Sequence, residues 1–241
     1  MKWIIVTGDS RGVGHEIAKS LLEHTTFGVI GLSRTTSDHI NELVSIYNDR
    51  YRHINFDLSN PDSIKDLYLS SLKKIGPIYG LVNNSAYAYD DLATNAKHDE
   101  LENMFTINVI SPILLTKYVI RDMLLHQMKG SIVHISSVCA HTGYKGLSMY
   151  ASTKGALEAF SKGISREWGG VGIRSNCIAP GFMDTAMSSS LDTKQKTRIY
   201  NRTSLRKSTD LKSVADTAIF LLSEKSSSIT GAVLHVDSGT I

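Results

Sequence analysis

The sequence predicts an α/β protein built on a doubly wound parallel sheet of about seven strands, with helices on both faces of the sheet. Short apolar runs alternate with helix-length amphipathic segments along the whole chain. This alternation favours parallel strands joined by crossover helices. The 241 residues include neither a fixed-period repeat nor a low-complexity linker. One domain that spans residues 1–241 is therefore expected.

The predicted strands are short, and most are bounded by Gly, Ser, Asn or Pro. They are Trp3–Val6, Phe27–Leu32, His53–Phe56, Ile78–Asn83, Ser131–Ile135, Ile173–Ile178 and Val233–Val236. Amphipathic periodicity predicts helices near residues 13–24, 37–49, 61–75, 98–128, 149–168 and 213–223.

The stretch 182–212 does not follow this alternation. It is polar and contains Met183, Met187 and Ser188–Ser190, together with several Lys and Arg residues. A long insertion between regular elements is typical of a binding loop or lid. We expect residues 182–212 to form a substrate lid.

Composition excludes several classes of protein. Hydrophobic residues make up 41% of the chain and charged residues 20%, which is typical of a soluble globular protein. The net charge of +3 comes without a dense basic run, so a nucleic-acid partner is not expected. No apolar stretch approaches the roughly 20 residues of a membrane span, and the first apolar run is too short for a signal peptide.

Cysteine and histidine usage points to a cytoplasmic protein without a metal site. Cys139 and Cys177 form neither a CxxC motif nor a metal-ligand spacing, which fits a reducing compartment. None of the nine histidines is paired at i, i+4 on a predicted helix. We expect localisation in the cytoplasm and no metal.

A glycine-rich turn follows the first predicted strand and opens the first helix. Its residues Gly8, Gly12 and Gly14 let the backbone turn tightly and approach a phosphate closely. The following helix start offers N–H groups and a positive dipole end. A simple turn is the alternative, but the position after the first strand favours phosphate binding. The predicted cofactor contacts of this segment are Gly8, Ser10, Arg11, Gly12, Val13 and Gly14.

The second strand indicates which dinucleotide binds. Enzymes that use NAD usually carry an acidic residue at this strand end to hold the ribose hydroxyls, and none occurs between residues 27 and 37. Arg34, with Arg11, can instead bind a 2′-phosphate. The alternative is that both arginines are solvated surface residues. The pattern favours NADP(H) over NAD(H).

Three further residues form a candidate proton-transfer site. Ser137 follows the fifth predicted strand, and Tyr150 and Lys154 stand at i, i+4 on the next helix. Reduction of a ketone needs a hydride and a proton for the carbonyl oxygen. A phenol has a pKa of about 10, and a neighbouring ammonium is expected to lower the pKa of Tyr150. Ser137 can donate a hydrogen bond to the carbonyl oxygen.

The chain resembles the short-chain dehydrogenase/reductase family from end to end. The resemblance rests on Thr7-Gly8-x-x-x-Gly12-x-Gly14, Asp57-Leu58, Asn83-Asn84-Ser85-Ala86, Asn108, Ser137, Tyr150-x-x-x-Lys154 and Pro180-Gly181. It implies a Rossmann-type fold and an NAD(P)-dependent oxidoreductase. Within the family the chain is most similar to 3-oxoacyl-(acyl carrier protein) reductases and related ketoreductases, which implies a carbonyl reductase with Tyr150 as the general acid.

The resemblance also implies roles for residues around the cofactor. Asp57 and Leu58 are expected beside the adenine, and Asn83 at the end of the fourth strand. Pro180, Gly181 and Thr185 are expected at the nicotinamide end. The alternatives are a helix cap for Asp57 and a loop hydroxyl for Thr185.

Two of the catalytic roles also come from the resemblance. Asn108 is expected to interrupt its helix and to hold a water that links Lys154 to solvent, although it could simply be a buried polar group. Tyr150 and Lys154 are expected to contact the cofactor as well, Lys154 at the nicotinamide ribose. Family members are commonly tetramers, so the apolar stripe of the helix near 101–126 is expected to contact a sister subunit in a homotetramer.

The substrate contacts depart from the carrier-protein branch. The arginines that dock the carrier fall on Met128 and Val171, and a usual Pro-x-Gly-Arg-x-Gly loop is replaced at residues 204–209. The substrate is therefore expected to be a small ketone or an acyl thioester, with acyl carrier protein the less favoured partner. Two alternatives stay open: an NAD-dependent alcohol or sugar dehydrogenase, and a cofactor-binding regulator without catalysis.

Overall fold

The computed structural model describes residues 1–185 and 192–241. Seven strands form one sheet in the order β3-β2-β1-β4-β5-β6-β7, and every neighbouring pair is parallel. The strands are β1 Trp3–Thr7, β2 Gly28–Ser33, β3 Tyr51–Asn55, β4 Ile78–Asn83, β5 Ser131–Ile135, β6 Arg174–Pro180 and β7 Val233–Val236. The predicted parallel α/β sheet is thus confirmed.

The helices follow the predicted segments closely. They are α1 Gly12–His24, α2 Asp38–Ile46, α3 Ile64–Leu67, α4 Lys73–Ile75, α5 His98–Phe105, α6 Ser111–Leu125, α7 Ser148–Trp168, α8 Thr193–Tyr200 and α9 Leu211–Leu222. A π-helical segment, Tyr68–Leu72, joins α3 to α4, and a second one, Thr106–Ile110, joins α5 to α6. The continuous helix His98–Leu125 reaches the length and apolarity of a membrane span. Core helices of soluble proteins can be equally long and apolar, and Leu115, Val119 and Met123 of this helix are buried against the sheet.

Helix α8 lies inside the predicted lid, where no helix was expected from the pattern of apolar residues. Its sequence is mainly polar, and Asp192 starts it with a capping box in which Gln195 returns the hydrogen bond. Met187 and Ser188–Ser190 of the predicted lid lie outside the described residues.

Side chains of β1 alternate between two hydrophobic cores. Ile4 and Val6 pack with α1 and α9, whereas Trp3 and Ile5 pack with α3 and α6. Because successive side chains of a strand point to opposite faces, this division places helices on both sides of the sheet.

The strand order reverses between β1 and β4, and this reversal positions the site. The polypeptide leaves the carboxyl ends of these two strands in opposite directions, which opens a crevice there. The Thr7 hydroxyl oxygen accepts hydrogen bonds from the backbone N–H groups of Asn84 and Ser85, each at 2.9 Å. Thr7 thereby fixes the two sides of the crevice to each other.

Candidate active site

The glycine-rich turn is packed so closely at Gly8 and Gly14 that a side chain at either position would meet neighbouring atoms. Gly8 and Gly12 have φ values of +74° and +59°, a region that favours glycine. A Cβ on Gly14 would lie 2.1 Å from the carbonyl oxygen of Gly8. The Asn84 side chain donates to the Thr7 carbonyl at 2.8 Å and lies against the same turn. Gly14 therefore lets α1 begin directly against the end of β1.

The outer side of this turn is open. A Cβ on Gly12 would meet no heavy atom within 4 Å among the described residues. Gly12 is also the first residue of α1, whose first-turn N–H groups lack helical partners, and no acidic residue occupies that turn. Ser10 and Arg11 border the opening, while Val13 is buried in the core beneath it. These residues fit the pyrophosphate of a dinucleotide.

The start of α2 lies beside the phosphate turn. Ser37 accepts a hydrogen bond from the Ile40 backbone N–H as the helix cap and donates one to the Ser10 carbonyl at 2.9 Å. Arg34, just after β2, and Arg11 are both exposed. Two helix N-termini and two arginines therefore border the same end of the crevice.

Asp57 and Leu58 occupy the loop after β3. Asp57 is exposed and accepts a hydrogen bond from the Ser59 backbone N–H at 2.9 Å. The next helical turn begins only at Pro61, so Asp57 closes a tight turn and does not cap a helix. Leu58 is buried, and its carbonyl accepts the hydroxyl proton of Ser111.

Ser137 follows the end of β5 and starts the short helical turn Val138–Ala140, whereas Tyr150 and Lys154 lie on α7. The Lys154 Nζ atom lies 5.5 Å from the centre of the Tyr150 ring and donates a hydrogen bond to the Ile135 carbonyl at 2.8 Å. The Ser137 Oγ atom accepts the Cys139 backbone N–H at 3.2 Å. That contact orients the Ser137 hydroxyl proton toward a different acceptor.

The environment of this group changes the expected proton affinities. Burial raises the pKa of Tyr150, and the neighbouring Cys139 and Asp90 add to the rise. Burial also lowers the pKa of Lys154 to about 8. The expectation that the ammonium lowers the pKa of Tyr150 is therefore wrong for this structure. Removal from water disfavours the phenolate, and the Lys154 ammonium is itself buried and directed toward the Ile135 carbonyl.

Asn108 lies in the π-helical segment between α5 and α6, so the expected local interruption of the helix is present. Its Oδ1 atom accepts the Tyr87 backbone N–H at 2.8 Å, and its Nδ2 atom donates to the Tyr87 carbonyl at 2.8 Å. The same Nδ2 atom donates to the Thr153 hydroxyl at 3.1 Å. Asn108 thereby links the loop after β4 to the residue that precedes Lys154.

Asn83 ends β4 and is buried beside His134. The Asn83 Nδ2 atom lies 3.1 Å from both the Thr116 Oγ1 and the His134 Nδ1 atoms. Burial, followed by the charge of Lys154, lowers the pKa of His134 to about 3. His134 is thus a neutral acceptor that fixes the end of β4, a role that the sequence did not reveal.

Pro180 ends β6, and Gly181 continues the strand direction into the stretch 182–212. The Gly181 N–H donates to the Val236 carbonyl at 3.0 Å, and a Cβ on Gly181 would lie 2.6 Å from the Thr209 hydroxyl oxygen. Thr185 is half-buried at the edge of the described segment.

Sequence reasoning missed a buried carboxylate near the site, that of Glu158. Glu158 lies on α7 one turn after Lys154, accepts the hydroxyl proton of Ser136 and lies 2.9 Å from the His141 Nε2 atom. The signal was available, because Tyr150, Lys154 and Glu158 recur at i, i+4 and i+8. Within residues 1–185 and 192–241, no cluster of three or more His, Cys, Asp or Glu side chains could hold a metal ion.

Comparison with known proteins gives consistent results. A family model described as enoyl-(acyl carrier protein) reductase matches residues 8–240. A 3-oxoacyl-(acyl carrier protein) reductase of Buchnera aphidicola subsp. Acyrthosiphon pisum is 34% identical over 234 residues, which cover 97% of this chain and 95% of that protein. The protein of the same name from Vibrio cholerae is 31% identical over 238 residues, with coverage of 99% and 96%.

Solved structures share the fold over nearly the whole chain. A candidate 2-deoxy-D-gluconate 3-dehydrogenase from Agrobacterium tumefaciens, with bound NADP, superposes with a TM-score of 0.91 at 23% identity and covers 99% of this chain and 96% of its own. A candidate β-ketoacyl-acyl carrier protein reductase gives 0.86 at 26% identity, with coverage of 99% and 97%. The chain therefore belongs to the short-chain dehydrogenase/reductase family and is an oxidoreductase of that family, which uses NAD(P).

Proposed function

We propose that the protein is an NADP(H)-dependent carbonyl reductase that transfers a hydride to a ketone. The observation that carries the proposal is the pairing of half-buried Tyr150 with buried Lys154 on α7, at the same edge of the sheet as Ser137 and the glycine-rich turn. The substrate class is a 3-oxoacyl thioester or a small ketone.

Tyr150 is suited to act as a general acid. The nicotinamide supplies the hydride when it is bound, and the carbonyl oxygen then needs a proton. Because burial raises the pKa of Tyr150, its phenol keeps that proton at neutral pH. The Ser137 hydroxyl, oriented by the Cys139 N–H, donates a hydrogen bond to the same oxygen.

Lys154 stabilises the charge that appears when Tyr150 gives up its proton. Its pKa of about 8 leaves it mostly protonated at neutral pH. Asn108, through Thr153, lies beside it, so we propose that a water held at Asn108 returns protons from solvent to Lys154 and Tyr150. The buried position of Lys154, only 2% exposed, is what makes such a relay necessary.

The preference for NADP(H) rests on Arg11 and Arg34. Both arginines border the open end of the turn, and a guanidinium binds a phosphate with paired hydrogen bonds. Arg34→Ala should weaken NADPH binding roughly thirtyfold and NADH binding less than threefold, because charge-assisted hydrogen bonds contribute about 1.5–3 kcal/mol. Fluorescence titration with both nucleotides measures this, and exposed Arg52→Ala on β3 is the matched control. Equal weakening of both nucleotides would place the 2′-phosphate contact elsewhere.

Substrate choice is tested by measuring NADPH consumption with simple ketones, 3-oxoacyl thioesters and keto-sugars. The carrier-docking positions are occupied by Met128, which packs into the core, and by Val171, which is 51% exposed and carries no charge. We therefore expect 3-oxoacyl groups on a small thiol to be reduced at least as well as those on acyl carrier protein. Turnover only in the oxidative direction with NAD would favour the alcohol or sugar dehydrogenase alternative. A protein that binds NADPH and reduces none of these substrates would be a regulator.

The stretch 182–212 is proposed to be the substrate lid.

The assembly is proposed to be a cytoplasmic homotetramer of single-domain subunits. Ile110, Leu124 and Leu125 leave apolar surface exposed along the helix His98–Leu125. A patch of this kind is typical of a subunit contact. Sedimentation velocity would show a tetramer in solution, and a monomer would contradict this proposal.

A further inference from the structure

A buried carboxylate lies directly beneath the phosphate turn. Asp9, between Gly8 and Ser10, is fully buried. Its Oδ2 atom accepts hydrogen bonds from the Tyr51 hydroxyl at 2.5 Å and lies 2.9 Å from the His53 Nδ1 atom, while its Oδ1 atom has no hydrogen-bond partner among the described residues. This arrangement depends on Gly31 of β2, because a Cβ there would lie 1.6 Å from the Asp9 Oδ2 atom.

His53 is placed to carry a positive charge. Its Nδ1 atom faces the Asp9 carboxylate, and its Nε2 atom lies 2.9 Å from the Asn55 Oδ1 atom. An imidazolium, with a proton on each ring nitrogen, donates to both of these oxygens. Burial acts to lower the pKa of His53, but the hydrogen bond and charge of Asp9, together with Asn55, raise it overall.

The pair is connected to the cofactor end of the turn through the backbone. Asp9 immediately precedes Ser10, whose carbonyl accepts the hydroxyl proton of Ser37, and Arg11 follows. An uncompensated carboxylate at this position would oppose a bound phosphate. The protonated His53 cancels that charge.

We propose that Asp9 and His53 form a proton-linked positioning pair that controls how strongly the turn binds the 2′-phosphate of NADP(H). The inference rests on the proposed cofactor site. When His53 loses its proton at higher pH, the Asp9 charge is no longer compensated. The 2′-phosphate adds a charge of about −1.5 to −2, so NADPH affinity falls more than NADH affinity.

Other titratable groups on this face are few and can be separated. Tyr51 faces the same carboxylate, and burial, followed by the charge of Asp9, raises its pKa, so it stays a phenol. The helices above carry a second pair of rings, His15 on α1 and His39 on α2, with centroids 4.7 Å apart. Burial, followed by the charge of His39, lowers the pKa of His15. The other charged residues near His15 on these helices are Glu16, Lys19 and Glu42.

The test uses the full chain and measures dissociation constants for NADPH and NADH between pH 7 and 9. This range lies above the second pKa of a phosphate monoester, which is about 6, so the charge of the 2′-phosphate stays nearly constant. In the wild type, NADPH affinity should fall about tenfold across the titration of His53, and NADH affinity less than threefold. His53→Gln should bind NADPH about tenfold more weakly at pH 7, and its ratio of NADPH to NADH affinity should depend little on pH. The double variant Asp9→Asn/His53→Gln should bind NADPH, at every pH in this range, within threefold of the wild-type affinity at pH 7.

His15→Gln is the control and should keep the wild-type pH dependence. If His53→Gln kept it as well, the inference would be overturned while NADPH binding and the proposed function remained intact. If the wild type bound neither nucleotide, the proposed function would fail and this inference with it.

A second measurement avoids variants altogether. Binding and protonation are linked reciprocally, so a tenfold pH-dependent gain in NADPH affinity requires a rise of about one in the pKa of His53 when NADPH binds. Proton NMR of the His53 ring, with and without each nucleotide, records this directly. A pKa of His53 that does not respond to NADPH would contradict the proposal.

Discussion

The two halves of the crevice are built in different ways. The phosphate half, from Gly8 to Gly14, is shaped by backbone, and its key positions are those where a Cβ cannot be accommodated. The proton-transfer half, around Ser137, Tyr150 and Lys154, is shaped by polar side chains, and Ser137 and Lys154 are held in place by hydrogen bonds to the backbone. A change of one methyl group should disrupt the first half, whereas the second should respond to changes of charge and hydrogen bonding.

The largest effect is expected from Tyr150→Phe, which removes the proposed proton donor and leaves the phosphate half unchanged. General acid catalysis contributes about 10²–10⁴-fold, so kcat for ketone reduction should fall roughly a thousandfold. NADPH should bind within threefold of wild type by fluorescence titration. Reduction at the parent rate would remove Tyr150 from the mechanism. Tyr144→Phe, a half-buried tyrosine on the loop before α7, is the matched control.

Gly14→Ala tests the phosphate half in the same way. The added Cβ would lie 2.1 Å from the Gly8 carbonyl oxygen and 2.5 Å from the Asn84 side chain, so the turn must open. Overpacking of this kind costs about 1–3 kcal/mol, and NADPH and NADH should both bind roughly a hundredfold more weakly.

Gly163→Ala on α7 is its control, since a Cβ there meets no heavy atom within 4 Å among the described residues. That variant should bind normally and gain up to about 1 kcal/mol of stability from helix propensity. Wild-type affinity in Gly14→Ala would show that the turn is not the phosphate site.

The difference between the halves also explains what the sequence could predict. Tight turns and i, i+4 pairs are short-range features, so the turn and the Tyr150–Lys154 pair could be identified from spacing alone. The contact of Asp9 with His53 joins residues 44 positions apart, and nothing in the local pattern indicates it. Strand β3 begins at Tyr51, before the predicted His53, because Tyr51 already pairs with Val29 of β2 and its hydroxyl donates to the buried Asp9 carboxylate.

Burial is the other quantity that the sequence did not supply. The prediction of a lowered pKa for Tyr150 took into account only the charge of Lys154. In the folded protein both groups are removed from water, which raises the pKa of Tyr150 and lowers that of Lys154. Helix α8 was missed for a related reason, because a polar helix stabilised by its capping box leaves no apolar periodicity to detect.

The turnover rate should depend on pH through Lys154, in the proton-transfer half. Lys154, with a pKa lowered to about 8, is charged below that pH and loses its charge above it. Measured at saturating NADPH, kcat for reduction should be near its maximum at pH 6.5 and about tenfold lower at pH 9. Saturation separates this from the pH dependence of binding at His53. A rate that stayed constant up to pH 9.5 would exclude the Lys154 charge from the chemical step.

The smallest effect is expected at Glu158, behind the proton-transfer half. This buried carboxylate accepts the Ser136 hydroxyl proton and lies against His141, and so it holds both ends of the loop that carries Ser137. Glu158→Gln keeps the shape and removes the charge, which should lower the free energy of unfolding by about 1–2 kcal/mol. We expect kcat to fall about fivefold while the KM for NADPH is unchanged, because the phosphate half is not touched. Exposed Glu167→Gln, on the same helix, should change neither quantity. A rise in the KM for NADPH with unchanged kcat would instead mean that the two halves of the crevice are mechanically coupled through α7.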